Sequence, residues 1–186
     1  MKKLSLFEQA RKLTQGSPIL ELGQITSISR KDFEERETFS FRCAAPCVEY
    51  ACLLIENALL LRTNRAGRIY AGFEKFSLLQ PIIDRYLRIA DLSETVFIFG
   101  EPDWTPPRHP NIRTIPLTSE FNLAREWFLI SVSPTLQVAV VAQEVDGIQD
   151  GAHDQRNLKS IKTSNQKAVL RLATAAEGLV NWSLAA

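Results

Sequence analysis

Residues 68–101, RIYAGFEKFSLLQPIIDRYLRIADLSETVFIFGE, decide the fold. Ile69, Ala71 and Phe73 alternate with Tyr70, Gly72 and Glu74, the period-2 pattern of a strand over 68–76. At the other end, Val96 to Phe99 is continuously apolar, as in a strand covered on both faces, which places a second strand at 94–101. Between them Ser77 is suited to cap a helix reaching about Ala90, with Leu78, Ile82, Tyr86 and Ile89 inward and Pro81 tolerated in its first turn. Strand, helix and strand in this order make a βαβ unit, whose crossover is right-handed and whose strands are parallel.

Upstream, Pro46 opens a predicted helix to about Leu61, with Val48, Ala51, Cys52, Ile55, Leu59 and Leu60 on one broad apolar face. FSFRC (39–43) reads as a strand and RKDFEERE (30–37) as a short exposed helix. Leu4, Phe7, Ala10 and Leu13 mark an amphipathic first helix that stops near Gly16 and Pro18. Downstream, PDWTPPRHPN (102–111) is too rich in proline for a helix or a central strand. IRTIPL (112–117) suits an edge strand, and 126–133 with 135–145 read as an antiparallel hairpin turning at Pro134. DGIQDGAHDQ (146–155) is a loop, LKSIKTS (158–164) a last strand, and a final helix is expected from Ser164 or Asn165 to about Ala176, broken by Gly178. The expected fold class is therefore α/β: a single domain with a mixed sheet of five or six strands, a central βαβ unit, a C-terminal antiparallel hairpin and helices packed on the sheet. Residues 1–44 form a helical extension of that domain, 45–176 its core and 177–186 a tail.

The 186 residues are enough for one self-sufficient core, and 22 Lys and Arg against 21 Asp and Glu leave a formal net charge of +1. A chain that holds nucleic acid or an anionic membrane by bulk charge needs a net positive field, so neither direct nucleic-acid binding nor membrane insertion is expected. ACLLIENALLL (51–61) is interrupted by Glu56 and Asn57 and falls far short of the roughly 18 apolar residues of a spanning helix. The N-terminus lacks the apolar run of a signal peptide. Three clustered cysteines, Cys43, Cys47 and Cys52, are not a disulfide framework, and a cytoplasmic location is expected.

Motifs for chemistry are sparse. The cysteine spacing does not match the paired two-residue spacers of zinc sites, so no metal is assigned. His109 and His153 are the only histidines, no GxSxG elbow accompanies them, and no catalytic residue is assigned. Neither a GxGxxG nor a P-loop sequence is present. In open α/β sheets, ligands bind outside the carboxyl ends of the parallel strands. That rule points to Glu74, Asp103 and Trp104, with Tyr70 and Trp127, as the rim of a ligand pocket. Arg62, Arg65 and Arg68 form a small basic group that, with Trp182, is a candidate contact surface.

LLIENALL (53–60), RIYAGFEKFS (68–77), RYLRIADLSETVFIFGEPD (85–103), IRTIPL (112–117), LAREWFLISVSPTLQVAVVAQE (123–144) and RNLKSIKTSNQKAV (156–169) together resemble the DICT domain, a sensory module of bacterial diguanylate cyclases and two-component systems. The third-last of these blocks leads into the most telling one, in which an acidic–Trp pair precedes a strand, a Pro-containing turn and a second strand. The resemblance implies a cytoplasmic, non-enzymatic sensory or interaction domain of the kind found in cyanobacterial signalling. It maps no ligand residues, so the cofactor stays unknown. No GGDEF, kinase or helix-turn-helix segment appears in the sequence, so signalling is expected to pass through a partner protein, or through a homodimer. The alternatives are a small-molecule-binding regulatory domain with its pocket at the strand ends, and an enzyme built on Glu101, Asp103 and His109.

Overall fold

The computed structural model describes residues 2–14, 19–21, 29–61, 66–144 and 156–185. β3 (Arg68–Lys75) and β4 (Thr95–Glu101) pair in parallel, with Ile69 opposite Val96 and Ala71 opposite Ile98. β3 starts from Gly67, whose φ of +97° brings the chain so close to its neighbour that a Cβ there would lie 2.5 Å from the Val132 carbonyl oxygen. The crossover differs from the expected single helix. Residues Phe76–Ile82 wind as 3₁₀ turns, and α4 begins only at Ile83 and runs to Asp91. Pro81 has no N–H to give the carbonyl four residues back, so an α-helical ladder cannot run through it from Ser77.

β5 (Ile112–Pro116) adds parallel to β4 as the edge strand. On the other side of β3, β6 (Glu126–Val132) and β7 (Gln137–Glu144) form the expected antiparallel hairpin. Its turn is closed by Ser133, whose hydroxyl and N–H both meet Leu136. β8 (Asn157–Thr163) and β2 (Thr38–Ala44) continue antiparallel, and β1 (Ile19–Glu21) lies parallel on β2. Among the described residues the sheet thus has eight strands in the order β1-β2-β8-β7-β6-β3-β4-β5. Five or six were expected; β1 is three residues long and too short to show a period.

Strand alternation divides the core in two. Ile69, Ala71, Val96, Ile98, Leu129, Val138 and Val140 face α3 (Ala45–Leu60) and α4. Tyr70, Phe97, Phe99, Phe128, Ile130, Ala139 and Val141 face α1 (Leu6–Leu13) and α5 (Gln166–Ala185). The result is a three-layer α/β/α domain, and the segment before residue 45 contributes two strands of the sheet as well as α1 and α2 (Arg30–Glu35).

α5 does not stop at Gly178. It carries on to Ala185, because Ala176, Leu179 and Val180 are buried in the second core cluster. Burying two such side chains stabilises by about 3 kcal/mol or more, which outweighs the roughly 1 kcal/mol a mid-helix glycine costs. The expected loop at 146–155, His153 within it, and most of 17–30 lie outside the described residues.

Candidate functional site

One end of the sheet gathers the carboxyl ends of β3, β4 and β7 and the amino ends of β6 and β8. There, on the face of the first core cluster, α3 and the segment Ser77–Tyr86 stand apart and leave a cleft of about 590 Å³. That volume is within the range of small-molecule sites. Its floor is Gly72, Phe73 and the start of β6 at Trp127–Leu129. One wall is the α3 face with Pro46, Glu49, Cys52, Leu53 and Glu56, and the other includes Leu78, Ile82, Arg85 and Tyr86.

Gly72 and Phe128 are register partners, and a Cβ on Gly72 would fall 2.0 Å from the Phe128 ring. The glycine lets that ring lie across β3 toward the opposite core, where it meets Phe99 at 5.5 Å. Trp127, one residue earlier, consequently turns to the cleft side.

The polar centre of the cleft is Glu56, only 3% exposed. Arg85 Nη1 donates to its Oε2 at 2.6 Å, and the Tyr86 hydroxyl donates to Oε1 at 3.1 Å. Burial, and then the Glu56 charge, push the Tyr86 phenol well above its ordinary pKa, so it stays a proton donor. Burial and the nearby Glu56 and Glu49 likewise push the Cys52 thiol up, which keeps it protonated and unreactive. The Phe73 ring meets Tyr86 edge-on at 5.7 Å.

The five residues expected at a pocket rim do not converge. Trp127 lines the cleft. Trp104 packs on the edge of the same core cluster. Asp103 accepts from the Ser77 N–H at 2.9 Å and from the Ser77 hydroxyl at 2.6 Å, so it anchors the 3₁₀ segment. The Ser77 hydroxyl, more than any other group, holds the Asp103 carboxyl below its ordinary pKa. Glu74 takes both its oxygens to Arg156 Nη1, at 2.6 and 2.7 Å, and Arg156 also reaches Glu144 at 4.0 Å. Tyr70 points through the opposite face, stacked 5.2 Å from Phe97.

Of the contact surface, Arg62 and Arg65 lie outside the described residues, Arg68 pairs with Glu177 of α5, and Trp182 is 44% exposed with its edge on Phe121. The residues that sequence reasoning missed are Glu56 and Arg85. The signal was a carboxylate, Glu56, one turn after Cys52 on a helix face otherwise set to be buried.

Glu101, Asp103 and His109 do not assemble an acid–base pair. His109 Nε2 sits 3.2 Å from Asp91, and its Nδ1 accepts from the Asn111 N–H, an arrangement that shapes the proline-rich loop. Among the described residues no group of three or more His, Cys, Asp or Glu is placed to hold a metal ion, and no described helix is long and apolar enough to cross a membrane.

No curated protein and no solved structure matches the chain. A family model does: the sensory domain in diguanylate cyclases and two-component systems, over residues 51–145. The matched segment spans just over half of the chain and contains most of α3, the whole βαβ unit and the β6–β7 hairpin, which together enclose the cleft. The chain belongs to the DICT family of sensory domains.

Proposed function

We propose that this domain is a non-catalytic sensor that binds a small molecule in the cleft between α3 and α4 and passes its occupancy to a partner signalling protein. The observation that carries the reading is the cleft itself: about 590 Å³, mostly apolar, with one buried carboxylate at its centre that accepts hydrogen bonds from Arg85 and Tyr86. Such a combination of apolar wall and a few convergent polar groups is the usual build of a ligand site.

A route outward supports the partner half of the reading. Trp127 faces the cleft, while its chain neighbour Glu126 faces the other side of the sheet, where its carboxylate accepts from the Leu6 and Phe7 N–H groups and from the Ser5 hydroxyl. A shift of β6 at Trp127 would therefore reach the N-terminus of α1. The second reading, an interaction module or homodimer, draws on Trp182, the large aromatic left half exposed on α5.

A thermal-shift screen of metabolites, nucleotides and chromophores tests the sensor. A ligand at a hundred times its Kd stabilises by about 2.7 kcal/mol, which is several degrees in Tm for a domain of this size. The shift is expected to vanish in Leu53→Trp, which fills the cleft from α3. A shift of equal size in that variant, or no shift from any compound, overturns the reading; light scattering that finds a stable dimer in the second case favours the interaction module.

A further inference from the structure

We infer that the ligand is a planar heterocycle with a cyclic amide edge, an N–H beside a C=O, met by Glu56 as acceptor and by Arg85 as donor. The inference rests on the sensor reading above and specifies its ligand. Tyr50, Phe73, Tyr86 and Trp127 line the cleft, four aromatic rings around one space, which suits a flat π system more than an aliphatic chain. At its centre Glu56 and Arg85 set an acceptor and a donor group side by side, 2.6 Å apart. Glu56 Oε2 accepts from Arg85 and Oε1 from Tyr86, and each oxygen retains capacity for a second hydrogen bond. A guanidinium carries five N–H donors, and among the described residues Arg85 commits one of them, on Nη1, to Glu56. The pair therefore keeps both an acceptor and donors for a ligand.

The same pairing sets the charge of the edge that fits. Glu56 and Arg85 neutralise each other across 2.6 Å. A carboxylate or phosphate set against Arg85 lies next to the Glu56 charge, and an ammonium set against Glu56 lies next to Arg85. In either case an attraction is offset by a repulsion, and the desolvation of the incoming ion is left largely uncompensated. A cyclic amide fits the pair as it stands. Its N–H meets the carboxylate and its C=O the guanidinium, two charge-assisted hydrogen bonds for a group with no net charge. A ring with an N–H alone leaves the Arg85 donors unmet, and one with a C=O alone leaves the Glu56 oxygens unmet, in a cleft the ligand has emptied of water. Only the edge at the pair is constrained in this way; a charged substituent at the mouth is not.

The test uses three flat tricyclic fluorophores that differ at this edge: lumichrome, with N–H beside C=O; its 1,3-dimethyl derivative, with the C=O groups but no N–H; and proflavine, with amino N–H groups but no C=O. Each is titrated into the full chain at neutral pH and followed by dye anisotropy. Lumichrome is expected to saturate at one per chain, with each of the other two weaker by about tenfold or more. Leu53→Trp is expected to abolish the lumichrome signal. Glu56→Gln is expected to weaken lumichrome about tenfold and to leave the dimethyl derivative unchanged. Should circular dichroism show that Glu56→Gln does not fold, the comparison of the three dyes on the unaltered chain decides alone. Lumichrome binding no tighter than either of the others, with sensitivity to Leu53→Trp, overturns the amide edge and leaves the cleft as a site. So does a failure of lumichrome alongside a Leu53-dependent hit in the thermal-shift screen. Lumichrome binding that survives Leu53→Trp lies outside the cleft and overturns the inference as well. Failure of all three dyes together with an empty screen overturns the sensor reading itself, and the inference with it.

Discussion

Lys162 shows how a single side chain can be held at odds with its solvation. It sits on β8, 2% exposed, over the rings of Phe33 at 5.2 Å and Phe39 at 5.9 Å, and its ammonium donates to the Arg36 carbonyl and the Ser164 hydroxyl. Burial pulls its pKa down to about 8, with Glu37 opposing that shift. A basic group with a lowered folded pKa binds fewer protons in the native state than in the unfolded chain. Stability should therefore rise as pH goes from about 8 toward 10.5, and Lys162→Met should flatten that rise and raise stability at pH 7 by about 1 to 2 kcal/mol. Urea melts of both proteins between pH 7 and 10 check it; an unchanged slope in the variant would show that Lys162 does not drive it. None of this was legible in the sequence, where Lys162 is one lysine among scattered basic residues. Glu56 was half legible: its place on an apolar helix face could be read, whereas the Arg85 and Tyr86 that satisfy it come from another helix, 29 and 30 residues away.

At the scale of elements, β3 and β6 are matched by a size exchange. Gly72 gives up its side chain so that Phe128 can cross it. Gly72→Ala is expected to cost about 1 to 3 kcal/mol, since the clash is with a ring held at 2.0 Å in a packed core. Phe128→Leu alone also destabilises, by leaving a void beside Phe99. The double variant should cost less than the sum of the two, because the leucine withdraws from the new Cβ, and a coupling of at least about 1 kcal/mol in a double-mutant cycle is the expected result. Strict additivity would mean that the ring moves aside freely. Element types were largely readable because they follow from local period: the βαβ unit, the β6–β7 hairpin, the edge strand β5 and α3 all lie where their patterns put them. The 3₁₀ stretch before α4 and the passage of α5 through Gly178 were missed for different reasons. Pro81 restricts its neighbours more than a first-turn reading allows, and burial of Leu179 and Val180 overrides the local propensity of glycine.

For the whole molecule, strand order predicts where the domain opens. β3, β6 and β7 are paired on both sides and covered by helices on both faces, whereas β1 and β5 are edges. Hydrogen exchange should leave the amides of β3, β6 and β7 protected longest and release those of β1 and β5 first; equal protection at an edge and at the centre would contradict the order. The sequence by itself determined the class of the fold, the parallel pair with its crossover, the hairpin and the family, because hydrophobic period and short motifs are local properties of the chain. Only the tertiary structure decided which residues share the cleft. Strand alternation sends Tyr70 to the opposite core and Trp127 to the cleft, Arg156 draws Glu74 away, Ser77 engages Asp103, and α3 brings Glu56 to Arg85. Each of these is a pairing between distant parts of the chain, set by which face of the sheet a side chain leaves from and by the partner a buried charge must find.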